Sequence, residues 1–188
     1  MALQIDSLEK RLINISEYHK MGEVGILTEE DKVELLNGEI IHMSPVNSKH
    51  GGHVKRTNAL LGKLLGELAV IGVRDPIVIP DLSEPEPDVS VLKPNDDFYE
   101  TKHPTSEDVY LLIEVSDSTL RKDREVKSPI YAEAGVKEYW IVNLVDNCIE
   151  VYKKPKKGEY TSRATFYKKD EIELEDFNIK IQVSDILR

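Results

Sequence analysis

The chain has 188 residues, 40% of them hydrophobic, and a single cysteine, Cys148; this suits one domain with a substantial core and excludes a disordered chain, an intramolecular disulfide and a cysteine-based zinc site. The formal charge of −10, from 25 Lys and Arg against 35 Asp and Glu, excludes a sequence-independent DNA coat protein, which would be basic. An enzyme that touches nucleic acid over a small patch stays open, and part of the acidic surplus could belong to a metal site.

The N-terminal stretch MALQIDSLEKRLINISEYHKM reads as a helical segment around residues 6–21. It lacks the apolar run of a signal peptide, and no stretch approaches the roughly 20 apolar residues of a membrane span. The expectation is a cytoplasmic protein with no membrane contact. Next, DKVELLNGEIIHM gives two short apolar runs joined by Asn37-Gly38, a strong hairpin signal. A two-residue turn pairs Leu36 with Glu39 and Glu34 with Ile41, so Glu34 and Glu39 share one face.

Val54, Leu61, Leu65 and Leu68 fall on one stripe, which predicts a helix from about 50 to 70. Three strand-like runs follow, RDPIVIP, PDVSVL and DVYLLIEV, punctuated by prolines. RKDREVKSPIYAEAGVKE reads as a helix closed by Gly135. Pro129 inside it demands a kink, or a restart with Ser128 as N-cap and Pro129 at the first helical position. EYWIVN and CIEVYKK form a hairpin around Val145-Asp146-Asn147, and more β-ribbon is expected from 160 to 183. The order predicts one α/β or α+β domain with a mixed sheet and helices on both faces: a helical segment over 1–29, a core of about 30–152 and a C-terminal β-ribbon over 153–188.

Two carboxylates interrupt successive strands. Asp88 opens its strand in EPDVSVL, and Glu114 lies near the end of its own in LLIEVSDST, flanked by aliphatic residues on both sides. An unpaired carboxylate in such a strand costs several kcal/mol, so Glu114 must be protonated, paired or used. Antiparallel pairing would bring it to Asp88, and such a pair can hold one hard cation whose other positions go to water and substrate phosphate. Lys127, one helical turn after Asp123, has a stem long enough to reach back over the strand ends and orient a water or neutralise developing charge.

VELLNGEIIHMSP, His50, EPDVSVL, LLIEVSDST, DREVK and YAEAGVKEYWIVN together resemble the Uma-two-like restriction endonuclease family of the PD-(D/E)XK nuclease superfamily, over roughly residues 30–152. The resemblance implies a restriction-endonuclease-like αβββαβ core, a Mg2+- or Mn2+-dependent phosphodiesterase acting on DNA, and often a homodimer. It makes Asp88 and Glu114 the metal ligands. The usual superfamily lysine, two residues after the glutamate, is Ser116 here, and the family pattern points to Lys127 instead. Glu39 and Glu34 match the family's hairpin acids, with Glu67 on the first core helix as the geometric alternative.

Each feature also has a plainer reading. Asp88 and Glu114 could make structural salt bridges, and Lys127 could pair with Asp123 for a few tenths of a kcal/mol. His50 and His53 suit capping or packing, although His50 matches the family's histidine after the hairpin. The lysines from 153 to 157 are a solvated tip or a phosphate contact, and Tyr139 and Trp140 pack the core or a dimer contact. The acidic balance and Ser116 leave a rival to the nuclease: a binding module for nucleic acid or protein that keeps the fold without catalysis.

Overall fold

The computed structural model describes residues 9–187. Asn14 caps helix α1 (Ile15–Glu23) by exchanging backbone-to-side-chain hydrogen bonds with Glu17, which satisfies two of the free amides of the first turn. The helix therefore starts later than the expected 6–21. Just before the cap, Ile13 N–H donates to Gly38 O at 2.9 Å, which holds the chain against the hairpin; residues 6–8 lie outside the described residues.

The hairpin forms in the expected register. Strands β1 (Val33–Leu36) and β2 (Glu39–His42) pair Leu36 with Glu39 and Glu34 with Ile41. Asn37 and Gly38 have φ of 49° and 77°, the left-handed conformation that a two-residue turn matching strand twist requires. Helix α2 (Ser48–Leu65) is capped by Asn47 and buries Val54, Thr57, Leu61 and Leu65. Gly66, at φ 51°, ends it ahead of the expected 70, and Gly66–Leu68 is a single 3-10 turn.

One expected strand is misplaced. The pairing next to α2 is made by β3 (Val70–Gly72), whereas 74–80 makes only isolated bridges at Val78 and Ile79. Pro76 and Pro80 deny that segment ladder donors, and Ile77 and Ile79 instead bury their side chains beneath the hairpin residue Leu36. β4 (Val89–Leu92) and β5 (Val109–Ser116) follow the expected runs. β4 runs antiparallel to both of its neighbours, β3 and β5.

Between β5 and the next strand the chain stays helical through α3 (Leu120–Lys122), a π-helical turn (Asp123–Lys127) and α4 (Ser128–Glu133). Ser128 has helical dihedrals, so the restart with Ser128 as N-cap does not occur. Pro129 offers no N–H and crowds the carbonyl four residues back, and the wider π turn immediately before it accommodates the ring. Gly135, at φ 77°, turns the chain out of α4. This crossover allows β6 (Glu138–Asn143) to pair parallel to β5, as parallel neighbours require.

β7 (Cys148–Lys156) and β8 (Glu159–Phe166) complete a sheet of order β3-β4-β5-β6-β7-β8. The C-terminal ribbon thus divides: β8 joins this sheet, while β9 (Glu171–Leu174) and β10 (Ile179–Gln182) form a separate hairpin before α5 (Val183–Ile186). α2, β9, β10 and α5 cover the sheet face carrying Leu111, Ile113, Val115 and Trp140. α4 covers the opposite face, carrying Leu112, Tyr139 and Ile141. From α2 to β6 the order is αβββαβ, the core order that the resemblance implied, with Tyr139 and Trp140 in the core.

Gly38 closes the hairpin against the chain before α1: a Cβ there would sit 2.6 Å from Leu12 Cβ, at a φ that alanine adopts only with strain. Gly38→Ala should lower stability by about 1–3 kcal/mol, read as an earlier urea midpoint with an unchanged slope.

Candidate active site

Alternation along β5 decides where Glu114 points. Ile113 and Val115 face α2, so Glu114 faces α4 together with Leu112 and Ser116. In the antiparallel β4–β5 pair Val89 lies opposite Ile113, which sets Asp88 beside Glu114, as the strand reading expected. Asp88 Oδ2 accepts the Val115 N–H at 2.8 Å, and Oδ1 lies 2.9 Å from His50 Nε2. His50 comes from the first turn of α2, whose Asn47 cap accepts the His50 N–H.

The helical crossover brings Lys127 into the same place. Its side chain is 3% exposed, and Nζ lies 2.8 Å from Glu114 Oε1 and 2.9 Å from Glu34 Oε2. Tyr131 OH donates to the same Glu114 oxygen at 3.0 Å. Lys122 Nζ donates to Glu34 Oε1 at 2.7 Å, and Glu34 Oε2 accepts the Glu86 N–H. Lys127 is thus a buried ammonium shared between carboxylates of β1 and β5. It makes no ion pair with Asp123, whose Oδ2 accepts from Ser116 Oγ at 2.7 Å and Thr119 Oγ1 at 2.8 Å.

The charges are distributed unevenly. Burial pushes the Glu114 carboxyl up from an ordinary 4.5 to about 8; Lys127 opposes the rise, and the carboxylates of Asp123, Asp88 and Glu34 add to it. Burial would also raise Glu34, but the ammonium groups of Lys127 and Lys122 outweigh it and hold Glu34 below the ordinary range. Burial alone would lower Lys127, and Glu114, Glu34 and Asp123 reverse that, so its pKa rises. The rise favours the ammonium form of Lys127, a hydrogen-bond donor.

Glu34, Asp88, Glu114, Lys127 and His50 all line one narrow cleft. Six acids line it (Glu34, Glu86, Asp88, Glu114, Asp117 and Asp123) against three strong bases, Arg74, Lys122 and Lys127. Other expected residues stand apart. Glu39 is exposed and pairs with Lys10, because β2 forms the outer strand of the hairpin while β1 is buried throughout. Glu67 is exposed in the 3-10 turn beyond the far end of α2. His53 bonds its own helix at Lys49 O, and Lys153 pairs with Glu138 and Glu175. Tyr131 and Glu86 were not singled out from sequence. The signals were there: Tyr131 lies four residues after Lys127, and Glu86 two before Asp88.

Among the described residues no three His, Cys, Asp or Glu side chains are gathered tightly enough to enclose a metal ion. That excludes a closed structural site of the zinc kind. It fits magnesium or manganese, which take one or two carboxylates and leave the remaining positions to water and substrate oxygen. The donor chemistry agrees: Asp88 and Glu114 offer hard oxygen donors, and the cleft carries surplus negative charge that a divalent cation would neutralise. Among the described residues no helix is long and apolar enough to cross a membrane.

A family model described as "Uma2: Putative restriction endonuclease" matches residues 15–184. The fold is similar to a solved structure titled as a putative nuclease belonging to DUF820 from Anabaena variabilis ATCC 29413. The two share 15% sequence identity and a TM-score of 0.71, over 93% of this chain and 97% of that one. No curated protein matches the chain.

Because the folded state holds the Glu114 proton up to about pH 8 and the unfolded chain releases it near 4.5, this group adds stability below the lower value and loses it as pH rises through the upper one. In EDTA, the thermal midpoint should therefore fall between pH 5 and 9, and Glu114→Gln, which cannot ionise, should flatten that fall. A pH series of melting curves on both proteins checks this.

Proposed function

The chain belongs to the Uma2 restriction-endonuclease-like family, and from that premise we propose that it is a metal-dependent DNA endonuclease. Asp88 and Glu114 hold Mg2+ or Mn2+, and Lys127 is the catalytic lysine. The observation that carries the reading is the buried contact of Lys127 with Glu114 at 2.8 Å. Where β5 has Ser116 at the usual lysine position, the crossover helix delivers an ammonium to the same strand end. When bound, the cation acts as a Lewis acid, activating water and stabilising charge on the phosphate.

The chain's own groups do the rest. Lys127 stays protonated, so it orients the attacking water by donating to its oxygen and offsets charge developing on the phosphate. Glu34 positions Lys127, and Lys122 holds Glu34. Tyr131 keeps Glu114 Oε1 in place, which leaves the other oxygen for the cation. His50 fixes the rotamer of Asp88. Glu39 has no part in this arrangement. A homodimer would present two such clefts to the two strands of a duplex.

Purified protein should nick supercoiled plasmid in Mg2+ or Mn2+. Asp88→Ala should abolish both nicking and Mn2+ binding. Lys127→Gln should keep Mn2+ binding and lose about 100-fold or more in rate. Metal-independent behaviour of all three proteins on plasmid and single-stranded substrates would instead identify a binding module, the reading that the chain's overall acidic balance and Ser116 favour. Sedimentation velocity reports whether the active species is a dimer.

A further inference from the structure

Catalysis leaves one cation of the cleft without a role. Lys122 and Lys127 share their charge with Glu34 and Glu114 at 2.7–2.9 Å. Arg74 makes no ion pair with any described residue. Its Nη2 lies 3.6 Å from Met43 Sδ, and its backbone N–H donates to Pro87 O at 3.1 Å, one residue before Asp88. The guanidinium is therefore carried by the same strand end as the first metal ligand.

Arg74 also lies where two concavities meet. It lines the narrow cleft and a much wider groove of about 1230 Å3 running along α1, the segment after β2 and Pro76. That volume exceeds the roughly 300–1,000 Å3 of a small-molecule site, and the groove is open, which suits a strand passing through. Lys32, His19 and His103 line it as further donors, against the carboxylates of Glu23, Glu29, Glu84 and Glu86, so the attachment rests on Arg74 rather than on a basic groove. Arg74 has φ 60°, a left-handed conformation costly for a residue with a long side chain. The Pro87 bond holds it there, and the side chain stays at the junction. Glu86 lines both concavities beside Arg74 without forming an ion pair with it.

Resting on the endonuclease reading, we propose that Arg74 is a substrate-binding residue that clamps a backbone phosphate of the nucleic-acid strand where the wide groove opens into the cleft. The planar fork of a guanidinium suits two phosphate oxygens at once. In a cleft with an acidic surplus, one free guanidinium beside the metal ligands gives the strand a point of attachment that does not compete with the cation.

The test is fluorescence anisotropy of a labelled oligonucleotide, single- and double-stranded, titrated at increasing KCl in a Lys127→Gln background with Mg2+. Arg74→Asn removes the charge and tolerates the left-handed backbone, and Arg74→Gln serves as a second neutral variant. Each should weaken binding about tenfold, equally for all sequences. Each should flatten the plot of log affinity against log salt by about 0.7 for single strands or 0.9 for duplex. Arg74→Lys should restore the slope, and Mn2+ binding should be unchanged throughout. Unaltered affinity and slope in both neutral variants, with plasmid nicking intact in the parent protein, would remove Arg74 alone. Absence of oligonucleotide binding by the background protein, with no nicking by the parent, would remove the nuclease reading as well. Displacement of the strand by inorganic phosphate at matching concentration would mean a free-anion site and overturn the strand clamp.

Discussion

The ammonium of Lys127 is the point on which this structure turns. A buried, unpaired lysine would cost several kcal/mol; here it is answered by Glu34 on one side and Glu114 on the other. Those carboxylates come from elements that share no ladder, since β1 belongs to the two-stranded hairpin and β5 to the six-stranded sheet. The ion cluster therefore docks hairpin, crossover helix and sheet together, alongside the apolar contacts of Leu36 with Ile77 and Ile79. Buried ion pairs of this kind are often no more stabilising than well-packed hydrocarbon, so the cluster's contribution here is to fix where the three elements meet, at the mouth of the cleft.

The helical crossover owes its form to the same requirement. Asp123 and Lys127 are four apart, a spacing that on a regular exposed helix makes them partners. In the π-helical turn both are buried and diverge, Asp123 to Ser116 and Thr119, Lys127 to Glu114 and Glu34. The extra width that accommodates Pro129 thus also separates two side chains that would otherwise neutralise each other. Ser116 keeps a function in this arrangement, as donor to Asp123.

On the endonuclease reading, charge has to explain how an acidic protein approaches an acidic polymer. Three strong bases cannot balance six acids in the cleft, and two of the three are committed to ion pairs. On that reading, a divalent cation held by Asp88 and Glu114 would reverse the local field of the cleft. Arg74, outside the ion cluster but beside Asp88, is the remaining fixed positive charge.

Local chemistry made much of this legible before any folding. Asn37-Gly38 specified the hairpin and its register because only a left-handed pair turns so tightly. The stripe of Val54, Leu61 and Leu65 specified α2, and the carboxylates of Asp88 and Glu114 stood out because each interrupts an apolar strand. The strand at Val70–Gly72 was hidden, since three residues carry no period, and the apolar run after Pro76 was the stronger but false signal. Tertiary structure alone chose Glu34 over Glu39: both share a face by register, and only packing of β1 against the sheet buries one and leaves the other with Lys10. It likewise decided that Lys127 meets Glu114 rather than Asp123, and that Arg74 stands unpaired between cleft and groove. Sequence alone determined which residues could not be ordinary, because propensity and burial act locally. Which of them meet was decided by the fold, because contacts between distant segments depend on how the layers close.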